Sequence, residues 1–243
     1  MSKKESGLSE TIKVVIQALV LAVLVRTFLF QPFTIPSGSM MPNLLVGDYL
    51  FVSKYSYGYS RYSLPFSPDL FDGRIWSGQP ERGEVVVFKL PSNPKIDYIK
   101  RLIGMPGDKV QVIDGVVHIN GTPVPRVPHG EWTPENGGSP IPVYREILPN
   151  GVSYDTLDVS TRTEGDNTRV FEVPPGHYFM MGDNRDNSLD SRFDVGFVPF
   201  ENLVGPARII FFSVKDGVHP LEIWRWPSDL RPSRLFKRIS GEQ

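Results

Sequence analysis

An apolar run close to the N-terminus constrains this chain more than any other feature. It reads TIKVVIQALVLAVLVRTFLF, from Thr11 to Phe30. As a helix, about 19 residues rising about 1.5 Å each span about 28 Å, close to the thickness of a bilayer's hydrocarbon core. Arg26 lies inside the run, which implies a tilted span, a shortened span or a partner for its charge. The run predicts a transmembrane anchor at residues 11–30.

The charges on either side of the run predict its orientation. Lys3, Lys4 and Lys13 lie at the N-terminal end, whereas residues 31–53 contain no Lys or Arg. By the positive-inside rule, residues 1–10 are cytoplasmic and the chain after Phe30 lies on the far side of the membrane.

Two other interpretations of the run stay open. A cleaved signal peptide is one, although no A-x-A-like site follows and Pro32 and Pro36 crowd the region. A buried core helix is the other, because Gln17 interrupts the run and its purely apolar part is short.

The rest of the chain has the pattern of an all-β protein. Gly (22) and Pro (23) are frequent, and no sustained helical period follows residue 31. Short runs rich in Val, Ile, Phe and Tyr are bounded by Gly, Pro or Asp. They are GDYLFVSKY, GEVVVFKL, DYIKRLIG, DKVQVIDGVVHING, GHYFMMGDN and GPARIIFFSV. Asp114-Gly115 between two apolar runs predicts a hairpin.

Two stretches look inserted into this β core. Residues 55–80 are rich in aromatic side chains without alternation, and residues 121–170 hold much of the Pro, Thr and Asn. We therefore expect a core at 31–120 and 171–243, with 55–80 as an inserted loop and 121–170 as an inserted β lobe. The C-terminal IWRWPSDLRPSRLFKRIS is either a solvated tail with a few packing aromatics or a contact with the membrane surface.

Composition excludes several function classes. The chain has no Cys, so disulfides, thiolate catalysis and cysteine zinc sites are excluded. The net charge of −1 gives no strong overall field to recruit nucleic acid, and no nucleic-acid-binding motif is present.

A short serine turn, TIPSGSMMPN (34–43), follows the apolar run. Pro36 and Gly38 shape a tight backbone on which Ser37 and Ser39 can converge. A serine hydroxyl becomes a nucleophile once a base accepts its proton and donors stabilise the oxyanion. Seen in isolation, the segment is equally an ordinary turn.

Lys100 is the best candidate for that base. In KIDYIKRLIGMPGD, strand alternation separates Lys100 and its apolar neighbours from Arg101, which can turn toward solvent or a carboxylate. Burial among apolar groups lowers a lysine pKa, as a general base near neutral pH requires. Alone, such a lysine is more often a snorkelling surface residue.

Histidine offers a weaker alternative. A Ser-His-Asp triad is not excluded by residue order, since that arrangement is geometric. Of the four histidines (His118, His129, His177 and His219), only His177 lies near a suggestive motif.

The polar run GDNRDNSLDSR (182–192) is a further candidate site segment. Asp186, Ser188 and Asp190 have alternating ligand spacing, but a calcium loop would need Glu where Phe197 stands. A metal is therefore not expected. A hydrogen-bonded loop that orients a base fits the composition better.

Three motifs in this order resemble bacterial type I signal peptidases, the Ser/Lys enzymes that remove signal peptides from exported proteins. The matching stretches are IPSGSMMPNLLVGDYLFVSK, DYIKRLIGMPGDKV and MGDNRDNSLDSR. The resemblance covers the anchor and most of the β core, and is weak over 55–80 and 121–170. Better-known Gram-negative members have two membrane segments, whereas this chain offers one.

The resemblance implies a role for each matching residue. Ser39 corresponds to the nucleophile, Lys100 to the general base and Ser37 to the oxyanion-hole serine. Ser188 corresponds to the serine that orients the lysine. Asp190 and Arg192 correspond to residues that brace the site, with Arg101 as a further candidate.

The resemblance also implies the fold and the setting. The fold would be an antiparallel β catalytic core with an inserted β lobe, and the substrate would bind as an added strand with small residues at −1 and −3. The partners would be preproteins carrying signal peptides, membrane phospholipid and the export translocon, with no nucleic acid, cofactor or metal. The protein would lie in the bacterial inner (plasma) membrane as a single-pass protein with a cytoplasmic N-terminus and a periplasmic catalytic domain.

Two other functions are alternatives to the removal of signal peptides. A self-cleaving repressor-type peptidase has a similar core and a Ser/Lys pair, but would be soluble and would carry a DNA-binding domain. A non-catalytic, membrane-anchored β-module that binds extended peptides would be expected to have lost Ser39 or Lys100.

Overall fold

A computed structural model describes residues 3–64, 67–135, 137–160, 162–219 and 221–239, and the side chains from residue 7 onward. Residues 1 and 2 of the expected cytoplasmic segment and residues 240–243 of the expected core lie outside the described residues. So do Lys3 and Lys4 as side chains.

The apolar run forms one long helix, α1 (Lys3–Phe28). Its part Gly7–Phe28 is long and apolar enough to cross a membrane, and every side chain in it except Thr27, next to its C-terminal end, is exposed. This exposure contradicts the alternative interpretation of a buried core helix. The helix begins at Lys3, before the expected residue 11. It ends at Phe28 and not at Phe30, because Phe30 already pairs with Ser53 as the first residue of a strand.

Short strands follow the helix, as the sequence predicts. They are β1 (Phe30–Thr34), β2 (Asp48–Ser53), β3 (Val85–Leu90), β4 (Asn93–Gly104), β5 (Lys109–Ile113), β6 (Val116–Ile119), β7 (Thr122–Pro123), β8 (Arg126–Trp132), β9 (Ile141–Ile147), β10 (Ser153–Leu157), β11 (Phe171–Glu172), β12 (His177–Met181), β13 (Val198–Pro199), β14 (Leu203–Ser213) and β15 (Lys237–Arg238). Among the described residues after α1, the one further α-helix is α2 (Trp226–Asp229). The all-β prediction for this part of the chain is confirmed.

The largest sheet has the order β1-β2-β14-β3-β4-β12-β13, with β15 added to β14. Every pairing in it is antiparallel. Strand β4 is packed on both faces. Leu102 lies in one apolar cluster with Phe88 and Met180, and Ile103 lies in another with Val110. This packing fixes the direction of every side chain along β4, including Lys100.

Two smaller sheets complete the fold. One has the order β10-β9-β8 and lies within the expected lobe at 121–170. The other, β11-β5-β6-β7, joins three strands of the expected core (β5, β6 and β11) to one strand of the expected lobe (β7). The division of the chain at residues 120 and 171 stays a prediction.

The predicted hairpin is confirmed. Strands β5 and β6 pair from Val110–Ile119 to Ile113–Val116 around Asp114 and Gly115. Both turn residues have positive φ, 48° and 77°, as a two-residue hairpin turn requires. At the C-terminus the Trp226 ring packs 5.1 Å from the Phe212 ring, whereas Trp224 is exposed. Both interpretations of that tail therefore stay open.

Candidate active site

The serine turn follows directly on β1. Ser39 is the middle residue of a single 3-10 turn, Gly38–Met40, between the buried side chains of Ile35 and Met40. The turn is held from the opposite loop by Asn184. The backbone N–H of Asn184 donates to the Ser39 carbonyl, and the side-chain amide of Asn184 donates to the Gly38 carbonyl, each at 3.1 Å. Two fixed carbonyls on adjacent residues leave the Ser39 side chain little freedom of position.

Lys100 reaches this turn from the middle of β4. Its Nζ atom lies 2.6 Å from Ser39 Oγ and also donates to the Ile99 carbonyl at 3.0 Å. Both side chains are buried, with Lys100 4% and Ser39 8% exposed. The strand alternation predicted from sequence is what brings Lys100 to this side, since its neighbour Arg101 points elsewhere.

Burial lowers the pKa of Lys100 to about 8, from an ordinary value of 10.5. The loss of hydration of the ammonium is the largest cause, and the negative charges of Asp190 and Asp183 oppose it in part. A substantial fraction of Lys100 is therefore neutral near pH 8 and able to accept a proton.

Ser37 also faces the nucleophile candidate. Its Oγ atom lies 3.4 Å from Ser39 Oγ, at the long end of hydrogen bonding. The position suits a hydroxyl that would donate to the oxyanion formed on a carbonyl attacked by Ser39.

Ser188 is buried next to this pair, but the expected hydrogen bond to Lys100 is not formed. Its Oγ atom has no hydrogen-bond partner among the described residues. A Cβ atom placed on Gly182 would collide with Ser188 and lie 2.6 Å from the Ser39 carbonyl oxygen. Ser188 is therefore packed against the serine turn with its hydroxyl unused.

Asp190 and Arg192 form a buried bidentate ion pair. Arg192 Nε and Nη2 each lie 2.9 Å from an Asp190 oxygen, and Asp190 also accepts from the Gly182 amide at 3.0 Å. Arg192 donates in addition to the Arg185 carbonyl. The pair thus fixes both ends of the loop that holds the serine turn.

Arg101 pairs with the carboxylate of Asp183, a partner that was not identified from the sequence. Its guanidinium makes two 2.7 Å hydrogen bonds to Asp183 and one to the Gly83 carbonyl. Asn43, four residues after Ser39, donates to the same carboxylate at 2.8 Å. Asp183 and Asn43 were missed at the sequence level, although Asp183 lies inside the GDNRDNSLDSR run.

A second buried ion pair supports the loop and was also missed. Arg185 donates to both oxygens of Glu146 at 2.8 and 2.7 Å, and Tyr154 donates to the same carboxylate. Arg185 belongs to the polar run, but Glu146 lies in β9. Nothing local in the sequence joins them.

The histidines lie apart from the serine turn. In the described part of the chain, His118 and His177 contact nearby backbone carbonyls, and His219 accepts from the Leu221 amide. His129 lies 4.0 Å from Asp155. The histidine alternative has no support in this arrangement.

The Ser39–Lys100 pair opens into a cleft of about 640 Å³. Its walls include the segment Pro36–Ser37, residues 96–100 of β4, and the loop residues 163–165 and 185–189. In the described structure β12 pairs with β4 only at Arg101 and beyond, so residues 93–100 keep one unpaired edge. A sheet edge with free N–H and C=O groups can take an added peptide strand.

One group of carboxylates in the described residues could hold a cation. Asp158, Asp166 and Asp186 each offer an oxygen within 4.8 Å of the others. Arg126 pairs with Asp158, and the amides of residues 159 and 160 donate to Asp186. These contacts suit a braced loop, and we assign the group no cation. The spaced Asp186, Ser188 and Asp190 do not form such a group.

Comparison with known proteins gives concordant matches. A family model described as "Signal peptidase, peptidase S26" matches residues 8–212. The signal peptidase I of Rickettsia typhi is 43% identical over 236 residues, covering 90% of this chain and 89% of the relative. That of Rickettsia akari is 44% identical, covering 90% and 88%.

A solved signal peptidase I from Enterococcus faecalis V583 is also similar. It is 27% identical and covers 53% of this chain and 96% of its own, with a TM-score of 0.32. That score is too low to support an argument about the fold.

Proposed function

Because this chain belongs to the signal peptidase family, peptidase S26, and is a membrane-anchored serine endopeptidase that removes signal peptides, we propose that Ser39 is its nucleophile and Lys100 its general base. The observation that carries this proposal is the 2.6 Å contact between Lys100 Nζ and Ser39 Oγ inside a buried site. A nucleophile in hydrogen-bond contact with a base of lowered pKa is the arrangement that acyl transfer requires.

The reaction begins with proton transfer. Neutral Lys100 accepts the Ser39 hydroxyl proton as Oγ attacks the carbonyl carbon of the −1 residue. The Ser37 hydroxyl and the Ser39 amide N–H stabilise the oxyanion that forms. Lys100 then gives its proton to the leaving amine of the mature protein, and the signal peptide stays as an ester on Ser39.

Water completes the cycle. Lys100, neutral again, accepts a proton from a water molecule that attacks the ester. Collapse of the second tetrahedral intermediate returns the proton to Ser39 and releases the signal peptide with a free carboxylate.

Four buried residues position the pair. Asp190 and Arg192 fix the loop that packs on the serine turn, Arg101 holds the segment around Asp183, and Ser188 supplies a hydroxyl beside Lys100. We propose that a small rotation lets Ser188 contact Lys100 when substrate fills the cleft. Such a contact would orient the amine without changing its charge.

We propose that the substrate binds in the cleft as an extended strand along the unpaired edge of residues 93–100. Backbone pairing there would present alternate side chains to the wall that contains Ser37 and Ser39. Small residues at −1 and −3 would point into that wall, and cleavage would follow them.

The charge asymmetry around the anchor supports a cytoplasmic N-terminus. We propose a single-pass protein of the inner membrane with its catalytic part on the extracytoplasmic, periplasmic side. Substrates emerging from the export translocon would meet Ser39 near the bilayer surface, and phospholipid would contact the chain there.

We further propose that the core at 31–120 and 171–243 carries the chemistry, and that the lobe at 121–170 braces it. Glu146 supports this division of labour, because it reaches from the lobe to Arg185.

The test uses the full chain in lipid with a preprotein carrying an Ala-x-Ala site. The products of wild type, Ser39→Ala and Lys100→Ala are mapped by mass spectrometry. We expect wild type alone to cut after the second Ala. Cleavage by either variant at near wild-type rate would contradict the Ser/Lys assignment, and binding of the peptide without cleavage by wild type would support a non-catalytic β-module.

A further inference from the structure

A second cleft of about 640 Å³ lies where the membrane helix meets the β core. Its walls are the end of α1 (Arg26, Thr27), the segment around Lys54 and Arg61, and the start of β4. The proposed proton transfers use none of the cationic side chains of this cleft.

The cleft is strongly basic. Its lining contains five cationic side chains: Arg26, Lys54, Arg61, Lys89 and Lys95. Lys89 pairs with Asp97, and Arg61 pairs with the exposed Asp69. Within the described residues, the other three cations make no ion pair, so the cleft holds an excess of positive charge.

Lys54 is the most unusual of these cations. It is 3% exposed, and its ammonium donates to the backbone carbonyls of Ser63 and, at 3.4 Å, Arg26. Burial lowers its pKa to about 8, the nearby positive charges of Arg26 and Lys89 add to this effect, and the negative charge of Asp97 opposes it in part. A buried ammonium has three donors and is costly without a counter-charge. Lys54 has two neutral acceptors and no carboxylate.

Other polar groups of the cleft are also unused. The Thr27 hydroxyl and the Arg61 Nε are buried and have no hydrogen-bond partner among the described residues. Together with Lys54 and Arg26, they form a set of donors around one space. An anion with several acceptor oxygens would satisfy this set, and phosphate is such an anion.

The position of the cleft identifies the source of the phosphate. Arg26 and Thr27 lie in the last turn of the apolar span Gly7–Phe28. Next to them Tyr59 donates to the Phe28 carbonyl at 2.6 Å, and its ring contacts the exposed ring of Trp76. Tyr and Trp at a helix end mark the level of the lipid headgroups.

We propose that this cleft binds the phosphate of an anionic phospholipid, held by Lys54, Arg26 and the Thr27 hydroxyl. The acyl chains would lie along the exposed apolar surface of α1. This deepens the proposed contact with phospholipid and is independent of the Ser/Lys assignment. It also gives Arg26, an awkward charge in a membrane span, a counter-charge.

The site is connected to the substrate cleft. Asp97 lines both clefts, on the strand that carries Lys100 three residues later. A bound lipid would therefore fix the first half of β4, where we propose that the substrate pairs.

The experiment measures lipid binding directly, without cleavage. The full chain in neutral detergent is titrated by calorimetry with short-chain phosphatidylglycerol, short-chain phosphatidylcholine or inorganic phosphate. The variants are Arg26→Gln and Lys54→Met. The control is Lys109→Gln, an exposed lysine in the distant sheet of β5.

We expect wild type and Lys109→Gln to bind phosphatidylglycerol about tenfold more tightly than phosphatidylcholine. Each test variant should lose about tenfold in affinity for phosphatidylglycerol, because one charge-assisted hydrogen bond contributes about that much.

Equal affinity of wild type for the two lipids, or an unchanged lipid preference in Arg26→Gln, would overturn the proposal. Inorganic phosphate binding as tightly as phosphatidylglycerol would assign the cleft to the free ion and overturn the lipid. Arg26 is exposed, and within the described residues its side chain makes no hydrogen bond or ion pair that a Gln would break, so this variant decides the matter if Lys54→Met does not fold. A chain that binds lipid but cleaves no preprotein would contradict only the catalytic proposal.

Discussion

Lys100 Nζ and Ser39 Oγ are 2.6 Å apart, although the two residues are separated by 61 positions in the chain. The contact joins a 3-10 turn after β1 to the middle of β4, two segments that are not neighbours in the sheet order. It is held from the other side by the loop at 182–192, through Asn184. The pair therefore depends on three distant parts of the sequence meeting at one point.

Loss of either member of the Ser39–Lys100 pair should abolish most of the activity. Ser39→Ala and Lys100→Met should each lower kcat/KM by about 10⁴-fold or more, because a nucleophile and its base act as a unit. For the same reason the double variant should be no slower than either single one. Cleavage of a preprotein is the readout, and Lys109→Ala is the control. A Lys100→Met rate within tenfold of wild type would mean that another group is the base.

The pH profile follows from the lowered pKa of Lys100. Burial disfavours the ammonium, and only the neutral amine can accept the Ser39 proton. Activity is therefore present above a pH of about 8 and is lost as the pH falls through that value. We expect kcat/KM to fall about tenfold per pH unit below it. Lys54 also has a pKa of about 8, but it does not line the cleft of Ser39 and Lys100. Lys54→Met should therefore show the same loss of activity at low pH as wild type. A flat profile between about pH 6 and 9 would contradict the assignment of Lys100.

Ser37→Ala should lower kcat by about 10²–10³-fold with little change in KM. The reason is that the hydroxyl would stabilise charge present only in the transition state. Steady-state kinetics on a peptide substrate measure this split. If KM rose while kcat held, Ser37 would be a substrate-binding residue instead.

The buried pair of Arg101 and Asp183 should contribute strongly to stability. Asp183→Asn leaves a guanidinium uncompensated, which costs about 3–5 kcal/mol in comparable buried pairs. The matched control is Glu172→Gln, which breaks an exposed pair with Lys109 and should cost about 1 kcal/mol or less. Thermal unfolding in detergent compares the two. Equal shifts of Tm would show that the buried pair has no special weight.

Gly182→Ala tests how closely the loop packs on the serine turn. The added methyl group would lie 2.6 Å from the Ser39 carbonyl oxygen and collide with Ser188, so the turn must move. A displacement of about 1 Å at a catalytic group can cost about 100-fold in rate. Gly7→Ala, which meets nothing within 4 Å, is the control. Normal turnover by Gly182→Ala would show that the turn has room to shift.

The proposed site was partly predictable because its residues lie in short local motifs. The turn residues around Ser39 and the alternation that separates Lys100 from Arg101 are properties of a few adjacent positions. The hairpin at Asp114-Gly115 is likewise a local property, since both residues need positive φ. Asp183, Asn43 and Glu146 escaped because their partners lie in other strands.

The helix shows the same limit at its boundaries. Hydropathy identified the span, but the helix ends at Phe28 rather than Phe30 because residues 30–34 pair with β2. An apolar residue at that position is equally compatible with a helix and a strand, and a distant partner decides between them.

By itself the sequence determined an apolar helix followed by alternating strands, and the side chains that each strand presents to its two faces. These follow from backbone periodicity, which depends on neighbouring residues alone. Only the tertiary structure decided that Lys54 is buried without a carboxylate in contact, that Arg101 pairs with Asp183, and that the Ser188 hydroxyl has no hydrogen-bond partner among the described residues. Those properties depend on sheet order and register, because burial and pairing are set by residues that the chain brings together from far apart.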